Sequence, residues 1–569
     1  MASETPDRTP VLIVGGGITG LSTALFLARH GVRSTTVERH PSTAIMPQAR
    51  AFNPRSLEIY RALGLEDDIR AHQSILLDLP EMIGADTLAA AERFRVDMLA
   101  QVRPGDISPA DWALIDQDEL ERIVHAHAIR AGADVRFGTE LMSLTIDADG
   151  VTATVRDLAG GTESTVRTDY LVAADGNRAE IRHRLGVGAD GPGVLGHAAH
   201  FLFDADLETP LRDRRFLLAY LDQPAAGTVL TPLRQHGRWM LGIPLDPRQG
   251  QTIEDFTERH CLDTARAAIG AADLDITLVP PVPGWRATPT DVRIGAWVAR
   301  GYRVGRVFFA GDCAHVMPPT GSFGANTGIA DAHNLAWKLA AVLHGQAGAS
   351  LLDTYEAERR PVAQTTMDTA MRILTARHHA SGAAATQIDE VSMAFGYRYR
   401  SAAICVEPGT PEQPVENPRT PSGRPGVRAP HVWLSHNGTA VSTLDLCTGT
   451  FTLLAGSVGG PWITAAENVA AALGIPFDAY RIGPELRDTD DRFPRTFGIT
   501  DTGATLIRPD GFVAWRARIV ADQPEHELHR ALTRTPRPWL AAPERRGGSC
   551  VSRFESPHLR KWTLSEMWI

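Results

Sequence analysis

The chain has 569 residues, of which 43% are hydrophobic and 22% are charged, values typical of a soluble globular protein. This length exceeds what one hydrophobic core supports, so we expect roughly two or three domains. The formal net charge is −10, and without any basic run this balance argues against a nucleic-acid-binding surface.

The composition also argues against a membrane or a metal site. No apolar stretch reaches the roughly 18–20 residues that a bilayer span requires. Residues 1–10 are polar and lead straight into a strand, which is not typical of a signal peptide. The five cysteines are scattered without a CxxC pair, which fits neither a disulfide framework nor a zinc site. We therefore predict a cytoplasmic protein without a metal and without a membrane or nucleic-acid partner.

The first predicted elements are a strand, a helix and a second strand. The strand PVLIVGGG (10–17) ends in glycines, and the next segment, 18–31, has helical periodicity up to a glycine. The second strand is STTVER (34–39). This order predicts a βαβ unit at the N-terminus.

A glycine motif joins the first strand to the helix. Gly15, Gly17 and Gly20 have GxGxxG spacing, and Glu38 ends the second strand about twenty residues later. The glycines allow a tight turn, the approach of a pyrophosphate to the helix N-terminus, and close helix–strand packing. A carboxylate at the end of the second strand can accept hydrogen bonds from ribose hydroxyls. The motif therefore predicts a dinucleotide-binding site.

The middle of the chain changes character twice. Residues 190–300 have short apolar runs, alternation and many Pro and Gly residues, which predict a mostly antiparallel sheet. A buried strand, RVFFAGD (306–312), follows, and then a helix at about 327–344. A longer helical stretch at 350–380 contains Pro361, which should begin or kink a helix.

The last third of the chain reads as a linker and a further domain. Residues 406–430 contain seven prolines interleaved with Gly and charged residues, which is typical of a linker. Strands and helices alternate again over 431–520, and a tail with three tryptophans follows after about 535. We expect this tail to dock onto the body of the protein.

Two further segments narrow the choice of dinucleotide. Asp175 and Gly176 follow an apolar strand, and Asp312 ends another strand just before Gly321, Gly324 and Gly328. The Asp312 carboxylate can accept hydrogen bonds from a polyol, and the glycine backbone after it can lie against a planar ring. The N-terminus of the helix that follows favours an anion. A reduced isoalloxazine with its ribityl chain has all three properties. The cofactor predicted is FAD.

These three motifs together resemble those of the single-component, NAD(P)H-dependent FAD aromatic hydroxylases of the para-hydroxybenzoate hydroxylase class, over about residues 1–395. The segment MPPTGSFGANTG (317–328) is similar to that of the hydroxylases that tailor aromatic polyketides, of the tetracenomycin and angucycline type. The C-terminal part resembles the thioredoxin-like domain of phenol-hydroxylase relatives.

The resemblance implies an α/β fold with interleaved domains. A Rossmann-like FAD-binding domain is expected from residues 1–75, 111–190 and 300–395. A mostly antiparallel substrate-binding sheet is expected from 76–110 and 191–299. A thioredoxin-like domain with the tail, 431–569, would follow the linker.

The resemblance also carries over site residues. It places Gly15, Gly17, Gly20 and Glu38 at the ADP half of FAD, Arg50 at the edge between flavin and ADP, Gln117 and Asp312 near the ribityl chain, Asp175 near the pyrophosphate and the NAD(P)H path, and Pro319 with the backbone of Gly324, Ala325 and Asn326 around the flavin ring. It identifies no catalytic residue. In the predicted substrate sheet, His236, Tyr220 and Arg234 are interpreted as ordinary surface positions.

In this family NAD(P)H reduces FAD, O2 forms a C4a-hydroperoxyflavin, and OH is transferred to an electron-rich aromatic carbon. Both NADH and NADPH remain open as reductant. The aromatic and apolar composition of residues 201–241, with few candidates for a carboxylate clamp, favours a polycyclic, polyketide-type phenol over a small acid.

Several alternatives stay open at this point. The same scaffold could carry out Baeyer–Villiger oxidation, inactivate an antibiotic, or bind flavin without turnover. A flavin halogenase is disfavoured because the WxWxIP signature is absent. Cys447 has no cysteine partner two positions away, so disulfide exchange is not supported. The C-terminal domain is therefore expected to act as a structural cap or as the contact surface of a homodimer.

Overall fold

The computed structural model describes residues 7–43, 48–73, 81–97, 104–281, 286–378, 389–483 and 485–533, without the side chains of 376–378. The predicted docking of the tail after about 535 lies outside these residues. Within them, no helix is both long and apolar enough to cross a membrane.

Twenty-four strands are present in this part of the chain. They are β1 (Asp7–Val14), β2 (Ser34–Glu38), β3 (Glu81–Ala85), β4 (Glu92–Asp97), β5 (Asp134–Phe137), β6 (Thr139–Ile146), β7 (Val151–Asp157), β8 (Glu163–Ala173), β9 (Ala189–Asp204), β10 (Leu218–Leu221), β11 (Thr228–Pro232), β12 (Arg238–Leu245), β13 (Thr277–Val279), β14 (Thr290–Ala299), β15 (Arg303–Val304), β16 (Val307–Phe309), β17 (His315–Val316), β18 (Trp433–His436), β19 (Thr439–Ser442), β20 (Phe451–Ala455), β21 (Phe477–Arg481), β22 (Leu486–Arg487), β23 (Ala504–Ile507) and β24 (Val513–Ala517).

The α-helices lie between these strands. They are α1 (Ile18–Arg29), α2 (Pro54–Arg61), α3 (Glu66–Ala71), α4 (Gln117–Arg130), α5 (Glu180–Arg184), α6 (Glu208–Leu211), α7 (Glu258–Ile269), α8 (Phe323–Leu343), α9 (Asp353–His378), α10 (Glu390–Phe395), α11 (Gly460–Leu473), α12 (Phe493–Phe497) and α13 (Pro524–Thr533).

The first sheet contains the strands on either side of the GxGxxG turn. Its strands run in the order β15-β16-β8-β1-β2-β5, with the β6-β7 hairpin attached to β8. The pairs formed by β1 with β2 and with β8 are parallel, as is β16 with β8. Helices α1 and α8 pack on this sheet in one large apolar core. Since parallel strands end at the same edge of a sheet, the turns after β1 and β16 come together there.

The second sheet has nine strands in the order β17-β14-β9-β12-β11-β10-β3-β4, with β13 beside β9. All of its pairs are antiparallel except β10 with β3. One face is covered by α7, where Phe201 and Phe203 pack with Cys261 and Ala265. The predicted interleaving of a mostly antiparallel sheet with an α/β nucleotide-binding domain is confirmed.

The C-terminal part has a mixed four-stranded sheet, β21-β20-β23-β24, and a smaller sheet, β19-β18-β22. Trp462 of α11 and Leu528 of α13 belong to its core. Residues 406–430, predicted as a linker, form turns and isolated bridges, and they pack against the rest of the protein. Val427 and Ala429 are buried there, so the stretch packs as part of the structure.

Two helices differ from their predicted bounds. The helix expected from about residue 327 begins four residues earlier, at Phe323, because the turn at Ser322 adopts a left-handed conformation that lets the chain enter the helix directly. Pro361 was predicted to begin or kink a helix; it does not begin one, since α9 starts at Asp353 and continues through this proline.

Candidate cofactor groove

The turn between β1 and α1 requires its glycines for different reasons. Gly15 has φ +111°, and a Cβ there would lie 2.1 Å from the Ala174 carbonyl oxygen. A Cβ on Gly20 would lie 1.9 Å from the Gly15 oxygen, so this glycine lets α1 start close behind β1. At Gly17 the nearest atom to a Cβ is a Glu121 oxygen at 3.7 Å, which leaves room in front of the turn. Gly17 also caps α1 without a side-chain hydrogen bond, so the helix N-terminus can receive an anion.

Glu38 lies next to this turn, at the end of β2. One carboxylate oxygen accepts from the Gly16 amide at 2.6 Å, and the other accepts from the His40 amide at 2.8 Å and contacts the His40 ring. Burial favours a higher pKa for Glu38, but the hydrogen bonds from His40 and Gly16 outweigh it and lower the pKa below the ordinary value. The ionised carboxylate keeps lone pairs for further donors, such as ribose hydroxyls.

Asp312 stands in a 3₁₀ turn directly after β16. Its side chain is solvent-exposed although protein surrounds it, as at the bottom of an open groove. This environment raises the pKa of Asp312, mainly because burial penalises the charged form. Asp312 has no hydrogen-bond partner among the described residues, so a ligand with hydroxyl groups would satisfy it.

The same groove continues to the start of α8. Ser322, at φ +54°, precedes the helix without a side-chain cap, and a Cβ on Gly324 would meet nothing within 4 Å. Ala325 is half-buried and Pro319 is exposed. Bare backbone at a helix N-terminus therefore borders open space, which suits a flat ring that carries negative charge.

Asn326 departs from this pattern. Its amide oxygen accepts from the Asn53 amide at 3.0 Å and from the Ser56 hydroxyl at 2.6 Å, and its amide nitrogen donates to the Ser322 carbonyl at 2.6 Å. The side chain is thus used within the protein, where it joins the start of α8 to α2. Only the backbone of Asn326 is left for the predicted contact with the flavin.

Arg50 and Gln117 lie together beside the groove. Arg50 donates to Asp116 at 2.8 Å and to the Thr231 hydroxyl at 2.7 Å, which joins the nucleotide-binding part to the second sheet. Its remaining terminal nitrogen is buried without a partner in the described chain. Gln117 accepts from the Ala49 amide at 3.0 Å and donates to Glu121 at 2.8 Å. Their predicted contacts with the cofactor stay predictions.

Asp175 forms a hydrogen bond to the start of the next helix, α5. Its carboxylate accepts from the Ile181 amide at 3.0 Å, and burial raises its pKa. The hydrogen bond explains why an aspartate follows β8, and the predicted contact with the pyrophosphate or the NAD(P)H path stays a prediction. The structure thus brings Gly17, Asp312 and Gly324 to one groove. The side chain of Asn326 is used within the protein, whereas Asp175 keeps one carboxylate oxygen buried without a hydrogen-bond partner among the described residues.

A buried polar cluster behind the groove was not predicted from the sequence. Asp331 of α8 accepts from the Gly311 amide at 3.1 Å, from His315 at 2.6 Å and from Arg359 at 2.7 Å. Both arginine and histidine lower the pKa of Asp331 in spite of its burial. The cluster fixes both ends of the turn that carries Asp312. The signal in the sequence was a lone aspartate inside an apolar helical segment.

The groove fits FAD on structural grounds. It offers a helix N-terminus at Gly17 for a pyrophosphate, an unpartnered carboxylate at Asp312 for a ribityl chain, and open backbone at Gly324 for a flat ring. A separate cavity of about 570 Å³ lies between the nucleotide-binding part and the C-terminal part, with His30, His333 and Cys447 in its lining. None of the predicted site residues lines that cavity, so it is not the cofactor site.

Comparison with known families agrees with this reading. Residues 8–370 match the family called "FAD binding domain", and residues 422–543 match "Aromatic-ring hydroxylase, C-terminal". The second match begins inside the stretch predicted as a linker.

Individual relatives span nearly the whole chain. The chain is 42% identical to a tetracenomycin A2 monooxygenase-dioxygenase of Streptomyces glaucescens, over 93% of this chain and 97% of the relative. It is 40% identical to a 4-methyl-5-nitrocatechol 5-monooxygenase of Burkholderia sp, over 93% and 98%. A solved aklavinone-11 hydroxylase in complex with FAD and aklavinone is 39% identical and superimposes with a TM-score of 0.85, over 94% of this chain and 99% of that one.

Proposed function

The chain belongs to the FAD-dependent aromatic-ring hydroxylases, and from this membership we propose that it hydroxylates a flat polycyclic phenol of the aromatic-polyketide type. It is a flavin monooxygenase that uses NAD(P)H and O2. When bound, FAD supplies the redox chemistry: it takes electrons from NAD(P)H and activates O2 so that one oxygen atom reaches an aromatic carbon.

The residues of the chain would bind the cofactor and exclude water from the reaction site. Asp312 would accept hydrogen bonds from the ribityl chain, the open backbone at the start of α8 would face the ring system, and Glu38 would bind the adenosine ribose. The buried Asp331 cluster keeps the Asp312 turn in place. Arg50 holds the second sheet against the groove through Thr231, so a substrate between them is shielded from water.

The substrate class is inferred from the face of the second sheet that Arg50 contacts. Strand register places Met240 and Leu202 in one row with Thr231, and Tyr220, Val229 and Gly242 in the next. In the described part of β9–β12, the arginine at the end of this face, Arg238, is already paired with Asp204. Arg50 uses two of its nitrogens for Asp116 and Thr231, so its single remaining nitrogen does not offer a bidentate guanidinium. A small aromatic acid would need a bidentate guanidinium, whereas a broad apolar wall suits a flat polycyclic ring.

Sequence identity alone does not choose the number of rings. The relative named for 4-methyl-5-nitrocatechol acts on a single ring, yet it is nearly as similar as the relatives named for tetracenomycin and aklavinone. The choice of a polycyclic substrate therefore rests on the apolar sheet face.

The test compares substrates of both sizes on the FAD-loaded protein. We expect aklavinone to accelerate oxidation of NADPH or NADH and to acquire one oxygen atom from ¹⁸O₂, while 4-methyl-5-nitrocatechol and para-hydroxybenzoate do neither. Tight coupling with a single-ring phenol and none with aklavinone would overturn the substrate class. Insertion of the labelled oxygen beside a carbonyl, with ring expansion, would indicate Baeyer–Villiger oxidation instead.

We also propose where and how the protein works. The four described cysteines, Cys261, Cys313, Cys405 and Cys447, form no disulfide with one another, which favours a reducing cytoplasm. The C-terminal part is proposed to act as a cap, with a homodimer as the assembly to look for by light scattering. A mass of one chain in solution at every concentration tested would contradict the dimer.

A further inference from the structure

His200, a titratable side chain of the second sheet, faces the groove and has no hydrogen-bond partner among the residues that the structure describes. His200 lies in β9, whose odd-numbered neighbours Phe201 and Phe203 point into the core under α7. Because side chains alternate along a strand, His200 points to the opposite face. That face is the one that Arg50 touches at Thr231. His200 is therefore directed toward the space between the sheet and the cofactor groove.

The strand register locates His200 on this face. It pairs with Gly242 of β12, which pairs with Val229 of β11, which pairs with Tyr220 of β10. Thr231 lies two strands away and two residues along, which corresponds to roughly 12 Å in the plane of the sheet. The histidine and the Arg50–Thr231 contact thus border the same wall at a separation that a flat ring system can span.

Gly242 gives the imidazole its place. A Cβ on Gly242 would lie 2.7 Å from His200 Nε2, so the ring lies across β12 in room that only a glycine leaves. The residue is half-buried, and it forms no hydrogen bond with another described residue. Burial lowers the pKa of His200 to about 4, so the imidazole is neutral at neutral pH, with one donor and one acceptor nitrogen.

We propose that His200 is a substrate-binding residue whose imidazole makes a hydrogen bond to a phenolic hydroxyl of the aromatic substrate and so orients the ring. This inference rests on the proposed function, since it needs a phenol between the sheet and the flavin. A half-buried polar group on an apolar wall fixes the orientation of a ligand that dispersion forces alone would let slide. A histidine that only fills space over Gly242 would not distinguish a hydroxyl from a methoxyl group.

The experiment uses two probes on the FAD-loaded protein, a dihydroxyanthraquinone and the dimethoxyanthraquinone substituted at the same ring positions. The wild type should bind the hydroxylated probe more tightly. In His200→Ala and His200→Phe its affinity should fall about two- to tenfold, which corresponds to the loss of one hydrogen bond, while the affinity for the methoxylated probe stays the same. The fraction of NAD(P)H that ends in hydroxylated product should also fall.

Two further variants sharpen the result. Gly242→Ala should push the imidazole aside and lower the affinity for the hydroxylated probe, and it should add little to His200→Ala because both changes remove the same contact. The control is His197→Asn on the same strand, where the histidine is paired with Asp291 on the other face. It should leave the affinities for both probes unchanged.

The outcomes separate the two proposals. If the wild type binds neither probe nor aklavinone, the polycyclic substrate class fails. If it binds the hydroxylated probe and both His200 variants, with normal FAD content, bind it as tightly, the assignment of His200 is wrong and the substrate class stands. Equal losses for both probes would also overturn the assignment, because they would indicate a packing role.

Discussion

The cofactor groove and the contact surface of the C-terminal part use polar residues in opposite ways. In the groove, Asp312 has no hydrogen-bond partner in the described part of the chain, and Gly324 borders open space. At the C-terminal contact, Glu358 of α9 accepts hydrogen bonds from both terminal nitrogens of Arg508, at 2.6 and 2.8 Å, and from the Lys338 ammonium at 2.8 Å. All three charged side chains there are fully buried. One region leaves its polar groups for a ligand, and the other satisfies them within the protein.

The physical reason is the cost of an unpaired buried charge. A buried carboxylate without donors loses hydration and gains nothing in return, so folded proteins pair it or expose it. Glu58 follows the rule as well, since Arg428 donates to its two oxygens at 2.9 and 2.6 Å. The arginines lower the pKa of Glu58 and of Glu358 despite burial. The paired carboxylates of Glu58 and Glu358 are therefore structural, whereas the solvent-accessible carboxylate of Asp312 is left for a ligand.

The largest expected effect comes from removing one side of the C-terminal contact. Arg508→Leu leaves Glu358 and Asp510 buried without their arginine, which should lower the free energy of unfolding by about 3–5 kcal/mol. Denaturation by urea, followed by fluorescence, measures the change. The matched control is Arg156→Leu, whose partner Glu163 is half-exposed on the β7–β8 pair, and it should cost less than about 1 kcal/mol.

Equal costs for the two arginine variants would contradict the comparison. They would mean that the buried contact contributes no more to stability than a surface ion pair. A transition in two separate steps for the wild type would indicate that the C-terminal part unfolds independently, and the loss would then appear in one step only.

The groove should respond in the opposite way. Asp312→Ala removes a carboxylate without protein partners, so the melting temperature of the apoprotein should stay within a few degrees of the wild type. Its hydrogen bonds to the ribityl chain are charge-assisted, so FAD binding should weaken by about 1.5–3 kcal/mol. Titration of the apoprotein with FAD measures the affinity. A variant that binds FAD as tightly as the wild type would show that Asp312 is not a ligand.

A smaller effect should appear only in acid. His333 lines the cavity between the two parts, and burial together with the charge of Arg55 lowers its pKa to about 3. In the unfolded chain the same group binds a proton near pH 6.5. Stability from a neutral His333 is therefore present above pH 6.5 and is lost as the pH falls toward the folded pKa. At pH 5 the loss amounts to about 2 kcal/mol.

His333→Gln tests this pH dependence. The glutamine cannot titrate, so the difference in free energy of unfolding between pH 7.5 and pH 5 should be smaller in the variant than in the wild type. Other histidines contribute equally to both proteins and cancel in the comparison. An identical pH dependence in the two proteins would mean that folding does not lower the pKa of His333.

The sequence predicted what depends on local pattern. Glycine spacing and the strand-end acid identified the turn at Gly17, and the run after Asp312 predicted α8 to within four residues of its start. The contacts that could not be predicted depend on strand register and on residues that are far apart in the sequence. Arg508 and Glu358 are 150 residues apart, and nothing near either one signals the pair.

The histidines of the second sheet make the same point. His236 was interpreted from the sequence as an ordinary surface position, and it is exposed in the turn between β11 and β12. His200 was not identified from the sequence, because the direction of its side chain depends on which residues pair across β9 and β12, and on the room that Gly242 leaves. Alternation along a strand can be predicted from the sequence, whereas the side that faces the cofactor cannot.

The smallest effect is expected at Cys447, which lines the cavity between the two parts. Its thiol contacts the Thr443 carbonyl at 3.7 Å, and burial raises its pKa to about 12, so it is not a thiolate at neutral pH. A thiol needs its thiolate form for disulfide exchange, and the described cysteines form no disulfide with one another. Cys447→Ser should therefore leave NAD(P)H oxidation and hydroxylation at wild-type rates, with a loss of stability below about 1 kcal/mol. A large fall in turnover at unchanged FAD content would place chemistry in the C-terminal part, and the contrast between a reactive groove and a structural contact would no longer hold.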